Sequence, residues 1–324
     1  AAATVDAVTV TFDSQNGSIS VAGDVDANAT DTANVVITGG NTVAAADNWG
    51  SSNALGTVSV TTSGTIFDLE GTLDATTLTS ATGTTIDVGA GTVTAAVTNA
   101  GTLLMSGAGD VVGNITNTGT IQQTGTGAIT GDVSGAGTID VDADLTVTGD
   151  LGATSADVAT GQTLTVAGGA GNDIAVSTIT LNGTGALDFT GGSNLTGNVV
   201  AAADGDGAIN IGDAAATTAI AGNIGTSSAA VATLDIAGGS ANVVTTTGNL
   251  WVDAITANNA DTLSFIGTSA QAVSGTITGG DINVTNATGV TFNGVINSDA
   301  MTVASGAAAT FAANATFAGA LDSA

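Results

Sequence analysis

Three aspartates at alternate positions are the residues whose type and spacing most suggest chemistry in this sequence. Asp140, Asp142 and Asp144 alternate with aliphatic residues from Ile139 to Leu145. Successive side chains of a β-strand point to opposite faces, so a strand here would place three carboxylates on one outer face. Ca²⁺ binds several carboxylate and carbonyl oxygens, and we therefore predict a calcium site at these residues. The alternative is an acidic outer face that is solvated by water.

A glycine-rich stretch carries a fourth predicted calcium ligand, Asp173. Residues 168–173 read GGAGND and resemble one nonapeptide of the calcium-binding RTX repeat, G-G-x-G-x-D-x-U-x, in which U is a large apolar residue. Ala175 occupies the apolar position, and the sequence contains no second, tandem copy. The resemblance implies Ca²⁺, the only cofactor to which the sequence points, and the competing interpretation is a glycine-rich corner. A further acidic turn, at residues 204–207, has no confirming partner.

The residue types that most enzymes use for catalysis are missing. The 324 residues include no Lys, Arg, His, Cys or Tyr, so the usual general bases and activated nucleophiles are absent. We therefore predict a non-catalytic protein. Because a pair of carboxylates can cleave glycosidic bonds, a polysaccharide-cleaving β-helix enzyme remains a remote alternative.

The charge of the chain excludes several classes of partner. A formal net charge of -28 without any basic residue can be offset only by ions or by a basic partner. Nothing in the sequence can neutralise a phosphate, which excludes nucleic acid and, by the same argument, an anionic lipid surface. No apolar run approaches the roughly 18 residues of a membrane span. The sequence opens AAATVDAVTV without a basic n-region, as expected of a mature or excised chain.

A period of 18 residues organises the centre of the sequence. From Gly83, four lines align: GTTIDVGAGTVTAAVTNA, GTLLMSGAGDVVGNITNT, GTIQQTGTGAITGDVSGA and GTIDVDADLTVTGDLGAT. The phrase [VI]-[VT]-G-[ND]-[VIL] recurs within them at 111–115, 129–133 and 147–151. Self-similarity at a fixed period is the signature of a repeat architecture.

The phrase continues beyond residue 154 at wider spacing. It reads LTGNV at 195–199, IAGNI at 220–224, TTGNL at 246–250, VSGTI at 273–277 and FNGVI at 292–296, with steps of 25, 26, 27 and 19 residues. VAGDV at 21–25 and FAGAL at 317–321 are outlying copies. We predict three segments: irregular coils in 1–82, regular 18-residue repeats in 83–154, and longer, looser coils in 155–324.

Short alternating stretches punctuated by Gly, Asn and Asp indicate strands joined by turns. Two or three such strands in each 18–27 residues predict an all-β fold, a parallel β-helix or β-solenoid, in which equivalent side chains stack about 4.8 Å apart. Glycine at the middle hexad position (Gly91, Gly109 and Gly127) favours a right-handed helix. The alternatives are a β-sandwich array and low-complexity sequence that is periodic by accident, and four lines in unbroken register argue against both.

The recurring GTI/GTL and [VI]-T-G-[ND]-[VIL] phrases resemble the passenger regions of bacterial autotransporters and large rickettsial-type surface proteins. They are equally similar to the Gly/Thr/Ala/Asn-rich, Lys-poor solenoids of some bacterial S-layer proteins. The likeness covers most of the chain, is compositional and periodic, and includes no residue-specific motif. It implies export, a right-handed β-helix and a role on the bacterial outer surface.

These observations predict an extracellular structural protein that forms a cell-surface coat, fibre or stalk and self-associates into a fibre or lattice. The alternative is an adhesin that binds a glycan or host protein through longer loops of the second half, at about 200–217 and 251–271. Trp49 and Trp251 are interpreted as packing side chains rather than as a ligand platform. Because the acidic charge has no internal partner, stability or assembly is expected to depend on salt or divalent cations.

Overall fold

The computed structural model of this chain is a parallel β-solenoid of about 15 turns, with roughly 20 residues in each turn. The predicted all-β parallel β-helix is therefore confirmed. The structure describes residues 9–167, 171–190, 192–212, 216–236 and 241–323, together with the backbone of Ala3–Val5. These ranges contain no helix, and so none that is long and apolar enough to cross a membrane. The right-handed winding stays a prediction, because strand pairing is the same for either hand.

The strands are short and follow one another around each coil. The first twenty are β1 (Ala3–Val5), β2 (Thr9–Asp13), β3 (Ile19–Val21), β4 (Val25–Ala27), β5 (Asn34–Thr38), β6 (Thr42–Ala45), β7 (Leu55–Val60), β8 (Ile66–Leu69), β9 (Leu73–Ser80), β10 (Thr85–Val88), β11 (Val93–Asn99), β12 (Thr102–Met105), β13 (Val111–Val112), β14 (Ile115–Asn117), β15 (Thr120–Gln123), β16 (Ile129–Thr130), β17 (Val133–Ser134), β18 (Thr138–Val141), β19 (Leu145–Val147) and β20 (Leu151–Val158).

The remaining described strands include several that are longer. They are β21 (Thr163–Val166), β22 (Ile174–Leu181), β23 (Ala186–Thr190), β24 (Leu195–Ala201), β25 (Asp206–Gly212), β26 (Thr217–Ala221), β27 (Val231–Ile236), β28 (Val243–Thr246), β29 (Val252–Ala257), β30 (Thr262–Phe265), β31 (Gln271–Val273), β32 (Thr276–Thr278), β33 (Asp281–Val284), β34 (Val290–Phe292), β35 (Ile296–Ser298), β36 (Ala300–Val303), β37 (Ala309–Phe311), β38 (Ala315–Phe317) and β39 (Leu321–Ser323).

The chain comprises two compact units, Ala1–Thr154 and Ser155–Ala324. The division of the sequence into three segments of different regularity, 1–82, 83–154 and 155–324, stays a prediction.

In the first unit, strands of successive coils stack in three parallel columns. One column contains β8, β10, β12, β15 and β18. The second starts with the N-terminal halves of β9 and β11 and continues through β13, β16 and β19. The third starts with their C-terminal halves and continues through β14, β17 and Leu151.

The 18-residue register predicted for residues 83–154 is confirmed. Two aliphatic columns line the interior: Val93, Val111, Ile129 and Val147 in one, and Val97, Ile115, Val133 and Leu151 in the other. All eight side chains are buried. Full burial of such a side chain stabilises the fold by roughly 1.5–3 kcal/mol, so each coil depends on its neighbours for its core.

Trp49 belongs to the interior of the first unit. It stacks between Val25 and Leu73 and is 0% exposed. Its ring centroid lies 5.4 Å from that of Phe12 and 5.1 Å from that of Phe67. The interpretation of Trp49 as a packing side chain is therefore confirmed.

The second unit also has three columns of strands. One contains β21, β23, β25, β27, β29, β32, β35 and β38. Another contains β26, β28, β30, β33, β36 and β39. The third begins with single bridges from Val199 to Ile224 and on to Leu250, and it continues through β31, β34 and β37.

The recurring phrase keeps one position in the coil only locally, which corrects the expectation of a single repeating position. Leu195 faces Ile220, which faces Thr246. Val273, however, faces Leu250 instead of Thr246, so the phrases at 273–277 and 292–296 lie one corner further around the coil.

The two outlying copies are also displaced. Val21 pairs with Ala45, and Val25 lies in the column of Trp49, so the phrase at 21–25 precedes the corner that the phrase at 111–115 occupies. The phrase at 317–321 joins β38 to β39. The phrase is thus the signature of a corner, and each of the three corners of a coil can carry it.

Glycine recurs in the phrase because adjacent coils approach closely there. A Cβ atom on Gly131 would clash with the carbonyl oxygen of Gly113, and one on Gly248 would clash with that of Gly222. Gly113 and Gly131 also have φ values of 141° and 140°, which favour glycine. Gly248 shows no positive φ, so close approach alone requires glycine at that position.

The Asn or Asp that follows this glycine bonds to the next coil. Asn114 Oδ1 accepts a hydrogen bond from the backbone N–H of Asp132 at 3.0 Å, and Asp132 Oδ1 accepts one from Asp150 at 3.0 Å. In the second unit, Asn198 Oδ1 accepts from Asn223 N–H at 2.9 Å, and Asn223 Oδ1 accepts from Asn249 N–H at 2.8 Å. Only a side-chain oxygen is needed, so Asn and Asp are interchangeable at this outer ladder.

The wider spacing of the second half arises largely from longer strands. Strands β22, β24 and β25 have seven or eight residues, whereas β12–β17 have two to four. The segments 200–217 and 251–271, which were predicted to be loops, contain β25, β29 and β30. The loop prediction is wrong for most of these residues because they continue the alternation that forms strands. Residues 213–215 lie outside the described ranges.

Candidate functional site

The three aspartates predicted to bind calcium lie where a strand ends. β18 ends at Val141, and a bend at residues 142–143 separates it from β19, which begins at Leu145. The expected continuous strand through 139–145 is therefore wrong. Asp140 is half-buried and faces Gln122 of the preceding coil, whereas Asp142 and Asp144 are exposed. Gln122 Nε2 donates a hydrogen bond to Asp142 at 3.0 Å.

No group of three acidic side chains that could hold a metal ion occurs in the part of the chain that the structure describes. Asp140, Asp142 and Asp144 are consequently not brought together as a three-carboxylate site, because the bend interrupts the alternation. Calcium binding by the chain stays a prediction.

Asp173, the fourth predicted ligand, holds two coils of the second unit together. Its Oδ1 accepts hydrogen bonds from the backbone N–H of Asn194 at 3.0 Å and from Asn194 Nδ2 at 2.9 Å. Ala175, at the large apolar position of the RTX-like stretch, is exposed on β22. Gly168, Gly169 and Ala170 lie outside the described residues. Asp173 thus contributes to an outer ladder between coils.

Carboxylates of adjacent coils also face one another without a basic partner. Asp68 on β8 lies beside Asp87 on β10. Burial raises the pKa of Asp68, and the negative charges of Asp87 and Glu70 raise it further. The stacking that aligns aliphatic side chains inside the coils therefore also aligns like charges outside them.

A surface groove in the second unit combines an aromatic ring with carboxylates. Its volume is about 440 Å³, within the range of roughly 300–1,000 Å³ that is typical of small-molecule sites. Trp251, Asp253 and Asp204 line it, together with Thr226, Ser227, Ala230, Ser274, Gly275, Thr276, Asn293, Gly294, Val295 and Ala313. We call this feature the Trp251 groove.

The Trp251 groove follows a corner that small residues occupy in three successive coils. The register of β29, β32, β35 and β38 aligns Asp253 with Gly275, Gly294 and Ala313. A side chain on Gly275 would clash with Val252 O, and one on Gly294 would clash with Gly275 O. The coils therefore pack tightly there without filling the surface, and this leaves a depression beside Trp251.

A turn borders the groove near Trp251. Thr226 and Ala229 form an antiparallel bridge, with the Thr226 N–H donating to Ala229 O at 2.9 Å. Asp204 braces this turn: its Oδ1 accepts a hydrogen bond from the Ala230 N–H at 2.9 Å. Asp204 remains exposed, as does Asp253, so both carboxylates are accessible to a ligand.

Trp251 is half-buried, which differs from its interpretation as a packing side chain. Its backbone N–H donates to Ile224 O at 2.8 Å, and its carbonyl accepts from the Val231 N–H at 3.0 Å. These bonds anchor the residue between coils while its side chain lines the groove. The step of 27 residues between phrases marked this coil as irregular, but the spacing could not show that Asp204 and Asn293 would lie along the same groove.

Comparison of the chain with protein-family models, with curated proteins and with solved structures gave no match. The similarity to bacterial surface solenoids therefore rests on composition, period and fold class.

Proposed function

We propose that this chain is a non-catalytic structural protein of the bacterial outer surface, where it forms a coat, fibre or stalk. The observation that carries the proposal is the stacking of coils throughout both units, with buried aliphatic columns inside and polar ladders at the corners. This arrangement supplies extended structure from residues that have little reactive chemistry. A sequence without Lys, Arg, His, Cys or Tyr suits such a role.

The coil formed by β37, β38 and β39 supports self-association into a fibre or lattice. Among the described strands, these three pair on one side only. Leu321 is 57% exposed and Phe311 is 36% exposed, and Phe311 stacks on Phe292 with ring centroids 5.7 Å apart. Open strand edges with apolar side chains favour pairing with strands of another chain, so we propose that copies associate through this coil.

Sedimentation velocity and electron microscopy of the purified chain test the structural proposal. We expect oligomers or filaments that dissociate in the Leu321→Asp variant, because the new carboxylate would be placed in an apolar contact. Ile66→Asp is the matched control, since Ile66 is similarly apolar and 37% exposed but lies on β8. Short monodisperse particles at all concentrations, or equal dissociation by both variants, would contradict self-association through this coil.

Localisation is tested independently of assembly. Antibodies against the folded chain should label intact source cells, and deletion of the gene should remove a layer or appendage that electron microscopy resolves. Label that appears only after the cells are opened would exclude a surface role.

A second candidate function, an adhesin that binds a glycan or host protein, is favoured by the Trp251 groove. An aromatic side chain with carboxylate, amide and hydroxyl neighbours is suited to a small polar ligand. Deleting the turn at residues 226–229 should abolish attachment to a ligand-coated surface without unfolding the solenoid. Unchanged attachment by this variant would remove the groove as the adhesive site.

The remote alternative, a polysaccharide-cleaving enzyme, would use Asp204 and Asp253, the two carboxylates that line the Trp251 groove. We expect no release of reducing sugar ends from acidic, neutral or amino polysaccharides. Release that Asp253→Asn abolishes would replace the non-catalytic proposal.

A further inference from the structure

We propose that the Trp251 groove binds a cationic amino sugar, with the protonated amine between the carboxylates of Asp253 and Asp204. This inference deepens the adhesin candidate and rests on it, and it is separate from the structural role of the solenoid. It is carried by the charge, the apolar contacts and the size of the groove.

The charge of the groove selects a cation. Asp204 and Asp253 line it, and the sequence has no Lys, Arg or His that could neutralise them. A cleft lined by charges of one sign concentrates the field and raises the local concentration of the opposite charge. The net charge of -28 adds a long-range attraction for cations and repels anionic sugars such as uronates.

The remaining lining residues suit a sugar ring that carries the amine. Trp251 supplies a half-buried indole, and a cation within about 6 Å of an aromatic ring is attracted to its face. Val295, 38% exposed, provides a further apolar contact for the ring carbons. Ser227, Thr276 and Asn293 offer hydroxyl and amide groups that can both donate to and accept from sugar hydroxyls.

The size of the groove limits the ligand. A volume of about 440 Å³ accommodates a few sugar rings but not a folded partner. The groove passes Gly275 and Gly294 in successive coils and continues to Ala313, so a short oligosaccharide can lie along it while its first ring contacts Trp251.

Tryptophan fluorescence provides a specific reporter because the chain has two Trp residues and no Tyr. In a Trp49→Phe variant of the full chain, Trp251 is the remaining Trp. Titration with the glucosamine trisaccharide at about pH 5.5, where amines are protonated and most aspartates are ionised, should give a saturable change. The change should weaken as NaCl is raised from about 20 to 300 mM, because salt screens partly exposed charges.

Charge-neutralising variants locate the amine. Asp253→Asn and Asp204→Asn should each weaken the affinity about two- to fivefold, the expected scale for one partly exposed charge partner. Asn at position 204 retains the oxygen that accepts from Ala230, so the turn is preserved. Asp281→Asn, which removes a charge from β33 away from the groove, should leave the affinity unchanged.

Two further ligands distinguish the sources of any binding. Equal binding of the neutral N-acetylglucosamine trisaccharide would overturn the proposal of a cationic ligand while leaving the adhesin candidate in place. Equal binding of trilysine, or equal weakening by Asp281→Asn, would show that charge alone is recognised and would overturn the sugar assignment. Absence of binding by all three ligands would overturn the proposal, whereas the assembly experiments would still decide the structural role.

Discussion

Glycine shows how the closeness of the coils limits a single position. Gly248 has a backbone conformation open to other residues, but a Cβ atom would clash with the carbonyl oxygen of Gly222 in the preceding coil. Gly212 also lacks a positive φ, and its nearest neighbour would be Phe189 O at 3.4 Å from a new Cβ. The pair therefore separates steric contact between coils from backbone strain.

We predict that Gly248→Ala lowers the free energy of unfolding by about 1–3 kcal/mol, the usual cost of overpacking. Gly212→Ala should change it by less than about 0.5 kcal/mol, as a tolerated substitution does. Chemical denaturation followed by circular dichroism measures both variants. Equal destabilisation would show that loss of glycine flexibility, rather than contact between coils, is the cause.

The raised pKa of Asp68 predicts a dependence of stability on pH. Because the folded chain holds this proton more tightly than the unfolded chain, the ionised carboxylate destabilises the fold at neutral pH. The stability is regained as the pH falls through the raised pKa and is complete below the unfolded pKa of about 3.9. Burial, Asp87 and Glu70 are the causes, and Asn at this position removes all three effects.

Asp68→Asn should therefore stabilise the chain at pH 7 by about 0.5 kcal/mol, the scale expected of a solvent-screened charge. The gain should disappear near pH 3, roughly one unit below the unfolded pKa. Unfolding curves measured across this range provide the test. Asp142→Asn, at an exposed bend, reports the general effect of losing one charge, and an equal gain in that variant would rule out a specific effect of Asp68.

At the scale of the coil corner, two polar ladders use Asn for different reasons. The outer ladder, of which Asn223 is a member, needs only an oxygen that accepts from the next backbone N–H. An inner ladder runs through Ser80, Asn99 and Asn117, all buried. There Asn99 Nδ2 donates to Asn117 Oδ1 at 2.8 Å and to Thr120 O at 2.9 Å, while its own Oδ1 accepts from the Ser80 hydroxyl.

The two ladders should respond oppositely to Asp. Asn223→Ala should cost about 1 kcal/mol, the net value of one hydrogen bond, whereas Asn223→Asp should cost little. Asn99→Asp should be more destabilising than Asn99→Ala at pH 7, because it removes the donor and places a charge in the interior.

Unfolding free energies of the four variants test this difference. Similar losses for Asp at both positions would contradict the distinction between an acceptor-only outer ladder and an inner ladder that requires an amide.

For the whole chain, the dominant property is a net charge of -28 with no internal counter-charge. Stacked coils bring carboxylates such as Asp68 and Asp87 side by side, so folding increases the repulsion among them. Salt screens exposed charges over a Debye length of about 10 Å at 0.1 M, and divalent cations can bind carboxylate oxygens directly.

We predict that the melting temperature at low ionic strength rises on addition of NaCl and rises further with millimolar Ca²⁺. A chelator should reverse the second increase. Calcium that acts beyond screening should exceed Mg²⁺ at the same ionic strength, which provides the control. Identical melting curves with and without chelator at low salt would refute cation dependence.

The β-solenoid could be derived from the sequence because every coil contacts mainly the coils next to it. A side chain such as Val111 must stack on its counterparts in the neighbouring coils, so the period of the fold is written directly as a period of residues. The absence of reactive residue types could likewise be read without coordinates. For the same reason, the register of residues 83–154 was predictable to the residue.

Other features depend on how many residues each corner uses, and no repeat encodes that number. The shift that places Val273 against Leu250 moved the phrase to another corner, and the bend after Val141 separated the predicted calcium ligands. The Trp251 groove arises from the same register, which aligns Asp253 with glycines of later coils and brings Asp204 to the turn beside them. Such sites join residues that are distant in sequence, so only the stacked structure shows which side chains share a surface.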